Sequence, residues 1–193
     1  MEKVIFEPSK KVRVIIVGDL ILDRYWIGDV TRISPEAPVP ILKIKNSDHR
    51  AGGAANVANN IASLGGQVSL FGMIGDDDAG KQLSNLINKK NINNFVNVRK
   101  KVKTIVKLRL QSNNQQLIRA DFESDKLSYT SIVKNKQFLI SIKNCDLIIL
   151  SDYDKGTLSN VSDIIKFSNS LNKTSIVDPK GQCFNKYNGA TII

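Results

Sequence analysis

Arg50-Ala-Gly-Gly-Ala-Ala-Asn-Val-Ala-Asn-Asn-Ile-Ala-Ser-Leu-Gly-Gly66 sets a glycine pair directly ahead of a run of small and aliphatic residues. Ala55, Ala58, Ile61, Ala62 and Leu64 recur at three- and four-residue steps, and Gly65-Gly66 end the run, which predicts loop, buried helix and turn. Two glycines entering a helix let backbone N–H groups approach a ligand with no Cβ in the way. Asn56, in the first turn, offers an amide donor and acceptor together, which suits a vicinal diol. Taken alone, Gly52-Gly53 reads as an ordinary turn before a helix packed on a sheet. The pattern lacks the Lys-Ser/Thr of a phosphate loop and is no nucleotide fingerprint. The neighbouring segments must decide.

Upstream, Val12 to Val17 is a nearly continuous β-branched run closed by Gly18-Asp19, the pattern of a buried parallel strand ending at a ligand-facing edge. Asp19 and Asp23 follow that edge and are candidates for sugar hydroxyls, because ligands of open α/β sheets lie at the carboxyl ends of the strands. Asp19 is equally a turn or helix cap. Between Arg24 and Lys45, short strands flank Ser34-Pro-Glu-Ala-Pro38 without helical period, which predicts a small sheet separate from the parallel one. His49 is read as a loop or surface residue.

Downstream, Gln67 to Ile74 is the next strand, completing a β–α–β unit. Asp76-Asp77-Asp78 is read as a helix cap ahead of Leu83, Leu86 and Ile87, since the spaced ligands of a calcium loop are absent. A short strand is expected around Phe95-Val96. Lys103–Leu110 and Gln116–Phe122 alternate about Ser112-Asn113-Asn114, a hairpin. Its second arm puts Arg119, Asp121 and Glu123 on one face, either plain solvent exposure or a cover for a polar substrate. After a polar break come a helix over Ile132–Ile142, a buried strand over Asp146–Leu150, a helix over Val161–Leu171 and a strand over Thr174–Val177. Two of these strands end in polar segments, Ser151-Asp-Tyr-Asp-Lys-Gly156 and Asp178-Pro-Lys-Gly181, and Thr191–Ile193 reads as a further strand.

The 193 residues are the size of one α/β domain, and 41% hydrophobic with 24% charged residues is ordinary globular composition. No run approaches a membrane span or a signal-peptide core, so the expectation is a cytoplasmic protein without membrane contact. Two cysteines and one histidine provide neither a disulfide framework nor a zinc cluster, and no metal site is expected. The net charge of +10 is mostly lysine scattered along the chain, which reads as solvated faces and excludes a nucleic-acid stripe. Residues 1–11 read as a loose terminus.

Taken together, Val17-Gly-Asp-Leu-Ile-Leu-Asp-Arg-Tyr-Trp26, Ser34-Pro-Glu-Ala-Pro-Val-Pro40, Gly52-Gly-Ala-Ala-Asn-Val-Ala58, Asn114-Gln-Gln-Leu-Ile-Arg-Ala-Asp-Phe-Glu123, Ser151-Asp-Tyr-Asp-Lys-Gly156 and Asp178-Pro-Lys-Gly181 resemble the ribokinase-like carbohydrate kinases. More closely they resemble the heptose 7-phosphate kinases, the kinase half of the bifunctional proteins of ADP-heptose synthesis. The segments stand in the family's order and cover nearly the whole chain; those with Trp26 and Ser34–Pro38 are the heptose-specific ones.

The resemblance implies a three-layer α/β/α fold with a mostly parallel sheet and a small β-sheet lid, its strands drawn from about 24–50 and 100–123. Residues 1–193 would form the N-terminal part of the kinase domain, with the C-terminal part of the fold missing. It implies phosphorylation of heptose 7-phosphate at C1 with ATP and Mg2+, for lipopolysaccharide core synthesis. By that likeness Asp23, Gly52, Gly53, Asn56, Arg119, Asp121 and Asp152 bind substrate, and Lys155 and Lys180 lie on the phosphate and nucleotide side. Lid sheets of this family often pair, so the resemblance also points to a homodimer through the lid as a further expectation. The family's nucleotide loops, its Gly-Ala-Gly-Asp anion hole and its catalytic aspartate fall beyond Ile193, so no catalytic base is expected here and little turnover from these residues alone. Another ribokinase-like sugar kinase and a non-catalytic sugar-phosphate-binding remnant are the alternative readings.

Overall fold

The computed structural model describes residues 12–88, 91–123 and 131–193. The loose terminus expected at 1–11, and most of the polar break after Glu123, lie outside them. In chain order the strands and helices are β1 (Arg13–Gly18), β2 (Leu20–Ile33), β3 (Pro40–Gly53), α1 (Ala54–Ser63), β4 (Gln67–Phe71), β5 (Met73–Gly75), α2 (Asp78–Asn88), β6 (Ile92–Asn94), β7 (Asn97–Arg99), β8 (Ile105–Ser112), β9 (Gln115–Phe122), α3 (Lys136–Asn144), β10 (Leu147–Ser151), α4 (Val161–Ser170) and β11 (Thr174–Asp178).

Five strands form a parallel sheet in the order β11-β10-β1-β4-β6. β1 lies at its centre because Val14 to Val17 are apolar on both faces and need cover on both. Ile15 and Val17 pack with Phe138 and Ile142 of α3 and Ile164 and Ile165 of α4. On the opposite face Val14 and Ile16 meet Ala54, Ala55 and Ala58 of α1 and Leu83 and Ile87 of α2. The alanines let α1 settle close to the sheet; each fully buried Ile or Leu stabilises by about 1.5–3 kcal/mol.

A second, four-stranded sheet in the order β3-β2-β8-β9 is built from the segments expected to stand apart. β2 and β3 are long antiparallel partners joined through the proline-containing turn, while β8 runs parallel to β2 and antiparallel to β9. Asn113 and Asn114 make the hairpin turn with φ of 48° and 64°, the left-handed pair that a two-residue turn requires.

Several elements differ from the sequence reading: Gly52-Gly53, expected in a loop, close β3, and Thr191–Ile193, expected as a strand, makes only an isolated bridge between Ile192 and Ile176. The strand expected over Gln67–Ile74 is broken at Gly72, and its second part, β5, leaves the main sheet to pair with β7. The strand expected at Phe95-Val96 is two short ones, β6 and β7, on either side of those residues, because Phe95 turns inward to stack on Phe71 at 5.0 Å. The helix expected from Ile132 begins with a 3₁₀ turn, and α3 starts only after Asn135, whose Oδ1 accepts the Gln137 and Phe138 N–H groups. The cap expected at the aspartate triplet is present: Asp77 Oδ1 accepts the Gly80 N–H at 2.8 Å.

Candidate functional site

The carboxyl ends of β1, β10 and β11 face the lid sheet across a rim organised by Asp19. This residue is 1% exposed, and its carboxylate accepts three backbone N–H groups from the segment after β10: Tyr153 at 2.9 Å and Lys155 at 3.1 Å on Oδ2, Thr157 at 3.0 Å on Oδ1. Its carbonyl accepts the Ala54 N–H at 2.9 Å. Asp19 therefore joins the start of α1 to the Asp152–Gly156 loop. Of its two sequence-level readings, the capping one describes its contacts.

Gly52 and Gly53 end β3 and lead into α1. A Cβ on Gly52 would lie 2.2 Å from Asp23 Oδ2, so the Asp23 carboxylate rests directly on the glycine pair. Gly53 has φ of 57°, and a Cβ there would meet the Asp19 carbonyl oxygen at 2.3 Å. Asn56 follows in the first turn of α1 with its side chain exposed.

The strand register extends this site across the second sheet, on which Asp23 itself lies. Asp23 lies opposite Arg50 on β3 and Lys107 on β8, and Lys107 opposite Asp121 on β9. One pair further along, Tyr25 lies opposite Asp48 and Arg109, and Arg109 opposite Arg119. Paired side chains share a face, so these two rows gather Arg50, Lys107, Arg109, Arg119, Asp23, Asp48 and Asp121 around Tyr25. Arg109 donates to Asp23 at 2.5 Å, Arg119 pairs with Asp121 at 2.9 Å, and the Tyr25 ring lies between the Arg50 and Arg109 guanidiniums at 4.6 and 5.3 Å. Burial lowers the pKa of Arg109, but the Asp23 hydrogen bond together with the charges of Asp23, Tyr25 and Asp121 outweighs it, so the guanidinium is held more firmly charged.

Two contacts fasten lid to rim. Lys155 Nζ donates to Glu123 at 2.5 Å, and the Lys107 ammonium lies 5.2 Å from the centre of the Tyr153 ring. Burial raises the Tyr153 phenol pKa, and the charges of Asp178 and Asp23 push the same way.

Asp152 is buried, and its carboxylate is held within the protein. Oδ1 accepts the Asp154 N–H at 2.7 Å, and Oδ2 accepts the Tyr187 hydroxyl at 2.6 Å and Lys186 Nζ at 2.8 Å. Lys180 is exposed at the end of the β11 segment, with its N–H on the Tyr187 hydroxyl at 3.3 Å. The structure thus gathers Asp23, Gly52, Gly53 and Asn56 where the second sheet meets α1, and sets Arg119 and Asp121 two strands away on the same face of that sheet as Asp23. Lys155 bridges rim and lid, and Asp152 and Lys180 lie on the β10–β11 side.

Sequence reading missed Lys107, Arg109, Tyr153, Lys186 and Tyr187. The alternation of β8 placed Lys107 and Arg109 on one face and could have found them; nothing local marks Lys186 or Tyr187. Among the described residues no group of three or more His, Cys, Asp or Glu is arranged to hold a metal ion. No helix among them is long and apolar enough to cross a membrane.

Comparison with known proteins gives this geometry a family. The model of the pfkB family of carbohydrate kinases matches residues 11–191. The chain is 48% identical over 191 residues to the bifunctional protein HldE of Blochmanniella pennsylvanica, covering 98% of this chain and 40% of the relative. It is 46% identical over 185 residues to HldE of a Haemophilus influenzae strain, covering 95% and 39%. It thus spans about two fifths of the length of these relatives. Among solved structures, a carbohydrate kinase from Agrobacterium tumefaciens superposes with a TM-score of 0.68 at 14% identity, over 86% of this chain and 53% of that one. The Arabidopsis thaliana ribokinase complexed with ribose and ATP gives 0.63 at 15% identity, over 89% and 54%. On the family match and the curated relatives together, the chain belongs to the pfkB family of carbohydrate kinases.

Proposed function

We propose that this chain forms the sugar-binding part of a cytoplasmic, ATP-dependent kinase. The enzyme phosphorylates D-glycero-D-manno-heptose 7-phosphate at C1, giving the 1,7-bisphosphate for ADP-heptose and lipopolysaccharide core synthesis. The observation that carries the reading is the seating of Asp23 on Gly52, next to Gly53 at the start of α1, on a sheet face that also bears Lys107, Arg109, Arg119 and Asp121. The 45–48% identity to HldE proteins along nearly the whole chain supports the heptose as the sugar.

In this reading Asp23 and the Asn56 amide hold adjacent sugar hydroxyls, and the glycine pair admits the sugar to the backbone. Arg119, with Asp121 beside it and Arg109 opposite, meets the phosphate at the far end of the sugar; guanidinium forks suit phosphate oxygens. Lys155 and Lys180 bring positive charge to the phosphoryl-transfer side. The lid excludes water from the cleft. Magnesium would come on the nucleotide phosphates, to which it is commonly bound with few protein ligands; no group of three or more His, Cys, Asp or Glu among the described residues is arranged to cage it.

The outer face of the lid supports pairing with a second copy. Trp26, Leu110 and Ile118 stand in one register row, and Trp26, Ile118 and Phe122 are 39%, 58% and 55% exposed.

Calorimetric titration with heptose 7-phosphate, beside a phosphoryl-transfer assay with ATP, tests the proposal. Binding of heptose 7-phosphate in preference to ribose and fructose 6-phosphate supports it. Binding without turnover assigns the chain a sugar-phosphate-binding role only, and equal or absent binding of all three sugars removes the heptose assignment.

A further inference from the structure

We propose that Asp152 is a positioning residue for Lys180, acting through Tyr187 and Lys186 instead of through contact with the sugar. The inference rests on the kinase reading only in giving Lys180 a phosphate to meet.

Asp152 follows β10, and Lys180 lies two residues beyond β11. The strands run in parallel, with Ser151 beside Asp178, and the Asp152 N–H donates to the Asp178 carbonyl at 3.0 Å. From there the chain leaves the sheet and returns at the 3₁₀ turn Asn185–Tyr187. The return is closed by one hydroxyl. Tyr187 is 0% exposed; its O–H donates to Asp152 Oδ2 at 2.6 Å, and the same oxygen accepts the Lys180 N–H at 3.3 Å. Lys186, the preceding residue, donates to Asp152 Oδ2 at 2.8 Å and holds its ammonium 4.9 Å from the Tyr187 ring centre. The backbone of Lys180 is fixed from behind while its side chain remains exposed.

Packing alone does not require this arrangement. A phenylalanine at 187 could fill the same volume, and burying the Asp152 carboxylate costs free energy that apolar residues would avoid. What the hydroxyl and carboxylate add is one defined path for the loop. Gly181, next to Lys180, has φ of 91°, and a Cβ on it would meet nothing within 4 Å, so the chain is open immediately beyond Lys180 and packs again only where Phe184 meets Tyr187. A lysine on an unpacked loop is useful to a phosphate only if its backbone is anchored in advance. Asp152 has no oxygen left without a protein donor on it, which separates its role from that of Asp23.

Tyr187→Phe removes the hydroxyl and keeps the ring; Lys180→Ala and the double variant complete a cycle. Amide exchange at Lys180 should accelerate at least tenfold in Tyr187→Phe, with Ile148 and Val177 unchanged. With inorganic triphosphate as the probe, each single variant should weaken binding several-fold, and the double variant should bind no more weakly than Lys180→Ala. Unchanged exchange at Lys180, or additive losses in the double variant, overturns the proposal. If the wild-type chain binds no triphosphate, the phosphate-side reading of Lys180 fails, and the exchange data still decide whether Asp152 and Tyr187 position it. Should Tyr187→Phe fail to fold, Asp152→Asn is measured in its place with the same expectations.

Discussion

The Asp23 carboxylate occupies the space where a side chain on Gly52 would begin, 2.2 Å from the Cβ position, while Arg109 holds it from the other side at 2.5 Å. Gly52→Ala must therefore push aside a carboxylate and leave the main chain where it is. The expected result is loss of sugar affinity of tenfold or more with a melting shift of only a few degrees, read by titration and calorimetry. Gly53→Ala differs: its Cβ would meet the Asp19 backbone oxygen at a positive φ, so stability falls by about 1–3 kcal/mol. Equal melting temperatures for the two variants would contradict this assignment.

Asp19→Ala leaves the buried Thr157 N–H and the half-buried Tyr153 and Lys155 N–H groups without their acceptor. Each buried unsatisfied donor costs about 1–3 kcal/mol, and the three are not additive, so a loss of about 3–5 kcal/mol in urea unfolding is expected. A loss under about 1 kcal/mol would show that water replaces the carboxylate there.

Arg119→Ala separates binding from stability. Its ion pair with Asp121 is about half exposed, and such pairs contribute about 0–1 kcal/mol, so the denaturation midpoint should barely move. Affinity for heptose 7-phosphate should fall several-fold while affinity for the unphosphorylated heptose does not. Parallel losses for both sugars would remove Arg119 from the phosphate.

Opposite pH arms are expected from two clusters. Burial raises the pKa of Asp77, but hydrogen bonds from the Thr104 hydroxyl and N–H and the Gly80 N–H outweigh it, and the folded value is lowered. Its stabilisation is complete above the unfolded carboxylate value near about 4 and is lost as pH falls through the folded one. At the alkaline end, burial and then Asp152 raise the Tyr187 pKa; for Lys186 burial is outweighed by the hydrogen bonds and charges of Asp152 and Tyr187 together, and it too is raised. Their stabilisation is complete below about pH 10 and is lost as pH rises through the folded values. Tyr187→Phe should flatten the alkaline limb of melting temperature against pH and leave the acid limb unchanged.

Ile118→Lys puts a charge into the exposed Trp26-Leu110-Ile118 row. If a second copy covers that face, light scattering should report a dimer for the parent chain and a monomer for the variant, at unchanged secondary structure. A monomeric parent would leave the row without a partner of its own kind.

What could be read from sequence was what repeats locally. The run Val14–Val17 closed by Gly-Asp, the small-residue helix after Gly53 and the alternating hairpin arms each carry their own period, and all three are present. The interior of the site obeys no such period. Arg109 meets Asp23 across 86 positions of chain, and Tyr187 meets Asp152 across 35. Such pairs arise only once strand order and register are fixed. Asp152 shows the limit from the other side: its place at a strand end was legible, and the three donors that engage it were not.

Asp19 has one further effect. Because its carbonyl holds the first N–H of α1 and its carboxylate holds amides more than 130 positions away, neither wall of the cleft can breathe alone. A sugar that quiets the helix end should thus slow exchange at Tyr153, Lys155 and Thr157, which it need never touch.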